Sequence, residues 1–204
     1  MKKKLIIFDL DGVLINSIKN MEFAWINTCK KNNLFIPFYK YKKFIGLPLI
    51  EILKKLSIDR KYYLSFNKYY NLFSKKKIHK IKINNKTEKI LKNLINKKYV
   101  LALYTSKNLI RTNLILGSKK NLFKYRLSPK KNIKGKPFPD GINYLIKKSK
   151  FLKKDTIFIG DSIFDYYAAK AAKVDYIHAN WGYQKIKIQK KFIVNELKDI
   201  NHYI

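Results

Sequence analysis

Four of the 13 acidic residues in this 204-residue chain form two close pairs at the ends of apolar runs. Asp9 and Asp11 follow one such run directly, and Asp161 and Asp165 follow another. A carboxylate at the end of a buried strand loses hydration and needs a compensating partner. A divalent cation is one such partner, and Mg²⁺ prefers oxygen ligands of this kind. The two pairs therefore indicate a place where carboxylate chemistry and a metal could come together.

The positive charge of the chain is large but carries little functional information. There are 46 basic side chains, and the formal net charge is +33. Only three of these basic residues are arginine, the side chain suited to bidentate contacts with bases and phosphates. Lysine is abundant together with Asn, Ile, Tyr and Phe, the set that A- and T-rich codons encode. We therefore interpret the charge as a solvated lysine coat with weak, salt-sensitive affinity for polyanions, and expect no specific nucleic acid as a partner.

Cysteine content and hydropathy indicate the compartment. Cys29 is the single cysteine, so a disulfide within the chain is excluded and a reducing environment is indicated. No apolar run approaches the roughly 20 residues that span a bilayer, and the run after the initial lysines is too short for a signal peptide. We expect a cytoplasmic protein without a membrane partner, built as one domain or as a core with a modest insertion.

Short apolar runs alternate with amphipathic, helix-like segments along most of the chain. Continuous apolar strands separated by helices predict a parallel sheet that is covered on both faces. Ligands of such sheets bind beyond the carboxyl ends of the strands, where Asp9, Thr105 and Asp161 stand. The predicted strands are 5–8, 100–104, 125–127, 156–159 and 176–178.

The interval from about residue 16 to residue 82 lacks a comparable strand run and indicates helices instead. An aromatic stripe at Tyr62, Phe66, Tyr69 and Phe73 predicts a helix-packing core. Helices inserted directly after the first strand would lie over the functional edge of the sheet. We therefore predict an α/β core of residues 1–15 and 83–204 and a helical cap of residues 16–82. The helices predicted within the cap are 17–31, a segment around 49–56, and 59–75.

Four motifs occur in an order that resembles the haloacid dehalogenase-like hydrolases. Phe8-Asp-Leu-Asp-Gly-Val-Leu14 is similar to the first motif of that family. The later motifs are Leu103-Tyr-Thr-Ser-Lys107, Gly135-Lys-Pro-Phe-Pro-Asp140 and Gly160-Asp-Ser-Ile-Phe-Asp165. The resemblance implies a Rossmann-like parallel sheet with a helical cap inserted after the first strand, as in the phosphoglycolate-phosphatase-like branch.

The resemblance also implies a role for each motif residue. Asp9 would attack phosphorus to form a phosphoaspartyl intermediate, and Asp11 would serve as general acid and base. Mg²⁺ would be held by Asp9, by the backbone carbonyl of Asp11, by Asp161 and by Asp165. The predicted phosphate-binding residues are Gly12, Thr105, Ser106 and Lys136, and the predicted substrate contacts are Gly46 and Lys107.

We expect a Mg²⁺-dependent phosphatase that acts on a small phosphorylated metabolite similar to 2-phosphoglycolate, with a monomer favoured. Asp11 argues against a dehalogenase, because the dehalogenating relatives lack a carboxylate at this place. A sugar phosphomutase is a first alternative. It is disfavoured because Pro48 and Leu49 stand where such relatives usually have an arginine after the cap glycine. A polyanion-binding protein without catalytic activity is a second alternative.

Overall fold

A computed structural model describes residues 3–204 of the chain. Met1 and Lys2, which begin the basic stretch considered for a signal peptide, lie outside the described residues. The strands are β1 (Leu5–Phe8), β2 (Val100–Tyr104), β3 (Tyr125–Leu127), β4 (Thr156–Gly160), β5 (Asp175–Ala179) and β6 (Ile193–Val194). They form one parallel sheet in the order β3-β2-β1-β4-β5-β6. All five predicted strands are present, whereas the two-residue strand β6 is too short to be recognised as an apolar run.

Helices cover both faces of this sheet, as the continuous apolar strands predict. Ile6 and Phe8 of β1 face a cluster that includes residues of the helix at 85–96, while Leu5 and Ile7 face a second cluster on the opposite side. This alternation follows from the two-residue period of a strand. The α-helices are α1 (Ile18–Lys31), α2 (Phe38–Lys42), α3 (Leu49–Lys55), α4 (Tyr63–Lys76), α5 (Asn85–Asn96), α6 (Leu109–Leu116), α7 (Asp140–Ser149) and α8 (Ile163–Ala172).

The helices α1 to α4 share a third apolar cluster of their own. The ring of Trp25 lies 5.5 Å from the ring of Phe66, and Cys29 is buried in the same cluster. Phe66 and Phe73 of the aromatic stripe are buried and its two tyrosines are partly buried, so the stripe packs as a helix core. The short helix α2 was not anticipated. Ile81 packs with the sheet-side cluster, and the cap boundaries at residues 15/16 and 82/83 stay a prediction.

The register of the sheet determines which side chains meet at its carboxyl edge. Phe8 at the end of β1 pairs with Leu103 of β2 on one side and with Ile159 of β4 on the other. The residues that follow these strands therefore emerge beside one another. Within residues 3–204, no helix has both the length and the apolar character needed to cross a membrane.

Candidate active site

Asp9 lies at the centre of the carboxyl edge of the sheet. Its backbone N–H donates to the carbonyl of Ile159 at 2.9 Å, which extends the β1–β4 pairing by one residue. On the other side, the N–H of Thr105 donates to Leu127 at 3.0 Å and likewise prolongs β2. Asp9 is only 4% exposed and Thr105 is buried. The chain thus places a carboxylate and a hydroxyl side by side at the middle of the sheet.

Asp9, Asp161 and Asp165 form a buried carboxylate cluster in which one oxygen of each residue lies within 4.8 Å of the others. Three buried oxygen donors at this spacing fit a hard divalent cation such as Mg²⁺. Gly12 has φ +83°, and a side chain there would collide with the carboxylate of Asp161, as would one at Gly182. The two glycines therefore leave room for this carboxylate. The side chain of Asp11 is not a member of the cluster, and the ligand predicted from Asp11 is its backbone carbonyl.

Lys136 provides the positive charge of the cluster. Its Nζ lies 2.8 Å from Oδ1 of Asp9 and 2.6 Å from Oδ1 of Asp165, and its side chain is fully buried. Burial alone would lower the pKa of Lys136, but the carboxylates of Asp165 and Asp9 outweigh it and raise the pKa above its usual value. The lysine therefore remains an ammonium ion between two carboxylates.

Two carboxylates of this cluster, those of Asp9 and Asp161, ionise less readily than carboxylates in water. Burial raises the pKa of Asp9 to about 7, an effect that Lys136 opposes and Asp165 reinforces. Burial also raises the pKa of Asp161 well above its ordinary value, and the charges of Asp165 and Asp9 add to this rise. One ammonium does not compensate three buried carboxylates, so the cluster favours a further cation.

Asp165 serves both the helix that follows β4 and the carboxylate cluster. Its Oδ2 accepts hydrogen bonds from the backbone N–H and the hydroxyl of Ser162, at 3.0 and 2.6 Å, in a capping box at the start of α8. Its Oδ1 faces Lys136. Asp165 can therefore cap α8 through Oδ2 and still belong to the carboxylate cluster.

Asp11 is held by two partners away from the carboxylate cluster. Its Oδ1 accepts a short hydrogen bond from the hydroxyl of Ser17, and its Oδ2 lies 3.2 Å from Nζ of Lys107. Burial lowers the pKa of Lys107, although the charge of Asp11 opposes this. The backbone N–H of Ser17 donates to the hydroxyl of Tyr183 at 2.6 Å. Ser17 and Tyr183 were not predicted as site residues, because nothing in a local pattern links positions 166 residues apart.

The structure brings the predicted residues Ser106 and Gly46 together as partners of each other. The Ser106 hydroxyl donates to the Gly46 carbonyl at 2.6 Å, which connects the end of β2 to the loop before α3. Gly46 has φ +110°, and a side chain there would come within 2.7 Å of the Ser162 hydroxyl. In this arrangement the hydroxyl of Ser106 is already bonded to Gly46, whereas among residues 3–204 Thr105 Oγ1 accepts only the N–H of Lys107, at 3.1 Å.

A cavity of about 210 Å³ separates the sheet edge from the helices of the cap region. Asp9 and Asp11 line it on one side, and Tyr41 and Tyr70 line it on the other. Of the other residues predicted for the site, Thr105, Ser106, Lys107 and Gly46 also line it. Asn67, Asn71, Asn108 and Arg111 add polar groups to the wall and were not predicted. Only Arg111 had a sequence signal that could have revealed it, since it is one of three arginines in a lysine-rich chain.

Comparison with curated proteins relates most of the chain to hydrolases. The phosphoglycolate phosphatase of Haemophilus influenzae (strain 86-028NP) is 28% identical over 204 aligned positions, which cover 88% of this chain and 87% of that protein. A protein of Caldanaerobacter subterraneus subsp. tengcongensis, provisionally named pyrophosphatase PpaX, is 25% identical over 94% of this chain and 88% of its own length.

Solved structures share the fold over the full length. A hydrolase from Pseudomonas syringae superposes with a TM-score of 0.87 at 21% identity, covering 98% of this chain and 97% of its own. A predicted phosphoglycolate phosphatase from Haemophilus somnus 129PT superposes with a TM-score of 0.86 at 23% identity. The superposition covers 100% of this chain and 98% of that one. At these identities the likeness establishes the α/β fold alone.

The family assignment rests on the sequence as a whole. The model of the haloacid dehalogenase-like hydrolase family matches residues 6–179, which include all four motifs. The predictions of this family, of its Rossmann-like fold and of a phosphatase-type enzyme are confirmed. The chain belongs to the haloacid dehalogenase-like hydrolases.

Proposed function

We propose that this hydrolase cleaves a small phosphate monoester with the help of Mg²⁺ and through a phosphoaspartyl intermediate on Asp9. The observation that carries the proposal is the placement of two carboxylates on one cavity wall in different surroundings. Asp9 lies against Lys136 and the carboxylate cluster, while Asp11 is held by Ser17 and Lys107. Two carboxyl groups in distinct environments can divide the roles of nucleophile and proton donor.

In the first step, an oxygen of Asp9 attacks phosphorus and the bond from phosphorus to the leaving oxygen breaks. Asp11 gives its proton to that oxygen, so the alcohol departs neutral. Ser17 and Lys107 keep the Asp11 carboxyl oriented toward the cavity. Lys136 stabilises the ionised form of Asp9 that the attack requires, since their atoms are 2.8 Å apart.

In the second step, Asp11, now ionised, takes a proton from a water molecule whose oxygen attacks the phosphorus of phosphoaspartate. The acyl phosphate bond breaks, inorganic phosphate is released, and Asp9 is restored as a carboxylate. Thr105, the backbone at Gly12 and Lys136 are proposed to hold the non-bridging oxygens. Ser106 would join them only after its hydrogen bond to Gly46 opens.

Mg²⁺ would be held by Asp9, Asp161, Asp165 and the backbone carbonyl of Asp11. When bound, it supplies charge neutralisation between the carboxylates and the phosphate dianion. The capping box on Asp165 and the N–H of Tyr183, which donates to Asp161 Oδ2 at 2.6 Å, fix these ligands in place.

The substrate is proposed to be a small metabolite, with 2-phosphoglycolate the leading candidate. The cavity of about 210 Å³ lies below the usual range of pockets for drug-sized ligands. The name of the Haemophilus influenzae relative supports the same substrate. The helical segment 16–82 is proposed to open for substrate entry and to close over it, and the protein to act as a monomer.

A panel of phosphorylated metabolites tests this proposal. Release of inorganic phosphate is measured with Mg²⁺, with a chelator, and with the Asp9→Asn variant. We expect turnover with Mg²⁺ only, and loss of at least about a thousandfold in the variant with its unfolding temperature maintained. Turnover that survives Asp9→Asn would exclude the proposed nucleophile. Isomerisation of a sugar phosphate without phosphate release would instead establish a phosphomutase.

A further inference from the structure

Arg111 is a buried cation in the cavity wall that has no acidic partner within residues 3–204. The residue is 8% exposed, and among residues 3–204 no carboxylate lies within 4.0 Å of its guanidinium. Its Nη1 donates to the hydroxyl of Ser74 at 2.8 Å, whereas its Nε has no hydrogen-bond partner among the described residues. A buried charge is usually paired, and leaving it unpaired is strongly unfavourable. An anion that enters the cavity would supply the missing partner.

The other cations near the cavity already have acidic partners. Lys107 pairs with Asp11, and Lys136 bridges Asp9 and Asp165. Among the described residues, Arg111 is therefore the cation of this wall whose charge no carboxylate balances. The phosphate has its own proposed contacts at the sheet edge, so a second anionic group of the substrate is the natural partner of Arg111.

The choice of arginine indicates the shape of this anion. The chain uses lysine for nearly all its basic positions, and Arg60, by contrast, is exposed at the surface. A guanidinium is planar and offers parallel N–H donors that match a carboxylate, whereas lysine acts as a point charge. The guanidinium carbon lies 5.3 Å from the centre of the Tyr70 ring, and Ser74 holds one end of the group. These contacts fix its orientation before any ligand binds.

We propose that Arg111 binds a carboxylate of the substrate, so that the enzyme selects phosphate monoesters that also carry a carboxylate. This inference rests on the proposed phosphatase function and assigns it a specificity-determining residue. Monoesters of the same size that lack a second anionic group leave the guanidinium unpaired and are poor substrates. Asp9 and Arg111 line the same cavity of about 210 Å³, so one small substrate molecule could present its phosphate to Asp9 and its carboxylate to Arg111.

A purely structural role is the competing explanation for Arg111. Its hydrogen bond to Ser74 and the bond from Asn108 Nδ2 to Asn71 Oδ1, at 2.8 Å, both connect the α6 region to α4. If Arg111 only attached these helices to each other, its removal would affect every substrate alike. If it binds a carboxylate, removal affects carboxylated substrates selectively.

The test compares 2-phosphoglycolate with 2-hydroxyethyl phosphate, which replaces the carboxylate by a neutral alcohol. The full chain with Mg²⁺ is assayed as wild type, Arg111→Met, Arg111→Lys and the matched surface control Arg60→Met. We expect Arg111→Met to lower kcat/KM for 2-phosphoglycolate by about 100-fold, mainly through a higher KM. The same substitution should change kcat/KM for 2-hydroxyethyl phosphate by less than about threefold. The kcat/KM of Arg111→Lys for 2-phosphoglycolate should lie between those of the wild type and Arg111→Met, and that of Arg60→Met should equal the wild-type value.

Binding provides a readout that does not depend on turnover. In an Asp9→Asn background with Mg²⁺, Arg111→Met should raise the Kd of 2-phosphoglycolate by at least about tenfold and leave the Kd of inorganic phosphate unchanged. Retained turnover of 2-hydroxyethyl phosphate by Arg111→Met with Asp9 intact shows that the Arg111 substitution leaves the protein folded.

The outcomes separate the two proposals. Equal losses for both substrates, or a wild type that does not prefer 2-phosphoglycolate, overturn the carboxylate site and leave the phosphatase function standing. A preference for ethylene glycol bisphosphate over 2-phosphoglycolate assigns Arg111 to a second phosphate and also overturns it. Absence of turnover with every monoester overturns the phosphatase proposal itself.

Discussion

The ammonium of Lys136 lies 2.8 Å from a carboxylate oxygen of Asp9, and both side chains are buried. The two residues are 127 positions apart in the chain and meet because the loop before α7 returns to the end of β1. Since burial raises the pKa of Asp9 to about 7, the nearby cation is what keeps a useful fraction of this carboxylate ionised near neutral pH. The contact thus connects the stability of the site to its chemistry.

Replacement of Lys136 by methionine should destabilise the protein and abolish most of its activity. It would leave Asp9 and Asp165 buried without their cation, at an expected cost of about 3 kcal/mol or more in the free energy of unfolding. Turnover should fall by roughly 10²–10³-fold. Urea denaturation and phosphate release check both values. The exposed Lys131, changed to Met in the same loop, serves as control; wild-type stability of Lys136→Met would contradict the role of the ammonium.

Asp161→Asn should stabilise the metal-free protein at neutral pH. Burial raises the pKa of Asp161 in the folded state, so the folded protein holds this proton more tightly than the unfolded chain. The folded protein then loses stability as the pH rises above about 4, the pKa of an aspartate in the unfolded chain. In a chelator, we expect the variant to gain about 1 kcal/mol or more at pH 7, and much less at pH 4.

Thermal unfolding across this pH range measures the gain. In excess Mg²⁺ the order should reverse, because the wild type keeps a ligand that the variant lacks. A gain in stability that is the same at pH 4 and pH 7 would show that the carboxylate charge of Asp161 is not its cause.

Gly12→Ala should weaken Mg²⁺ binding, whereas Gly117→Ala should not. Both glycines have positive φ, +83° and +53°, so both substitutions are expected to cost roughly 1–3 kcal/mol of stability. Of these two positions, only Gly12 would bring the new methyl group against the carboxylate of Asp161, since at Gly117 no atom of another described residue outside its immediate neighbours lies within 4 Å. We expect Mg²⁺ affinity, measured by calorimetry, to fall by about tenfold or more for Gly12→Ala alone. Equal Mg²⁺ affinities of the Gly12→Ala and Gly117→Ala variants would argue against Asp161 as a Mg²⁺ ligand.

Ser17→Ala should impair the proton transfer assigned to Asp11. Its hydroxyl donates to the Asp11 carboxylate, and loss of a hydrogen bond to a charged group corresponds to about a tenfold fall in kcat with KM unchanged. The fall should be larger for alkyl phosphates than for para-nitrophenyl phosphate, whose leaving group needs no proton. Ser118→Ala, at an exposed position, is the control. The same loss with both leaving groups would assign Ser17 a structural role instead.

The apolar runs and the motifs alone determined the core of the fold and the residues at its centre. Each strand of a parallel sheet reads as a local apolar run, and the ends of such strands share one edge. For this reason the sequence alone predicts that Asp9, Thr105 and Asp161 lie together. The helical character of the segment after β1 was equally local, because the aromatic stripe repeats with the helical period.

Only the tertiary structure decided how these groups are partnered. Ser17 meets Tyr183 from 166 positions away, Ser106 gives its hydroxyl to Gly46, and Arg111 reaches the cavity without a carboxylate. Such contacts join loops and helix ends that carry no periodic signal. The pKa of Asp9 likewise depends on burial and on Lys136, and both exist only once the chain has folded, because desolvation and charge proximity are properties of three-dimensional space.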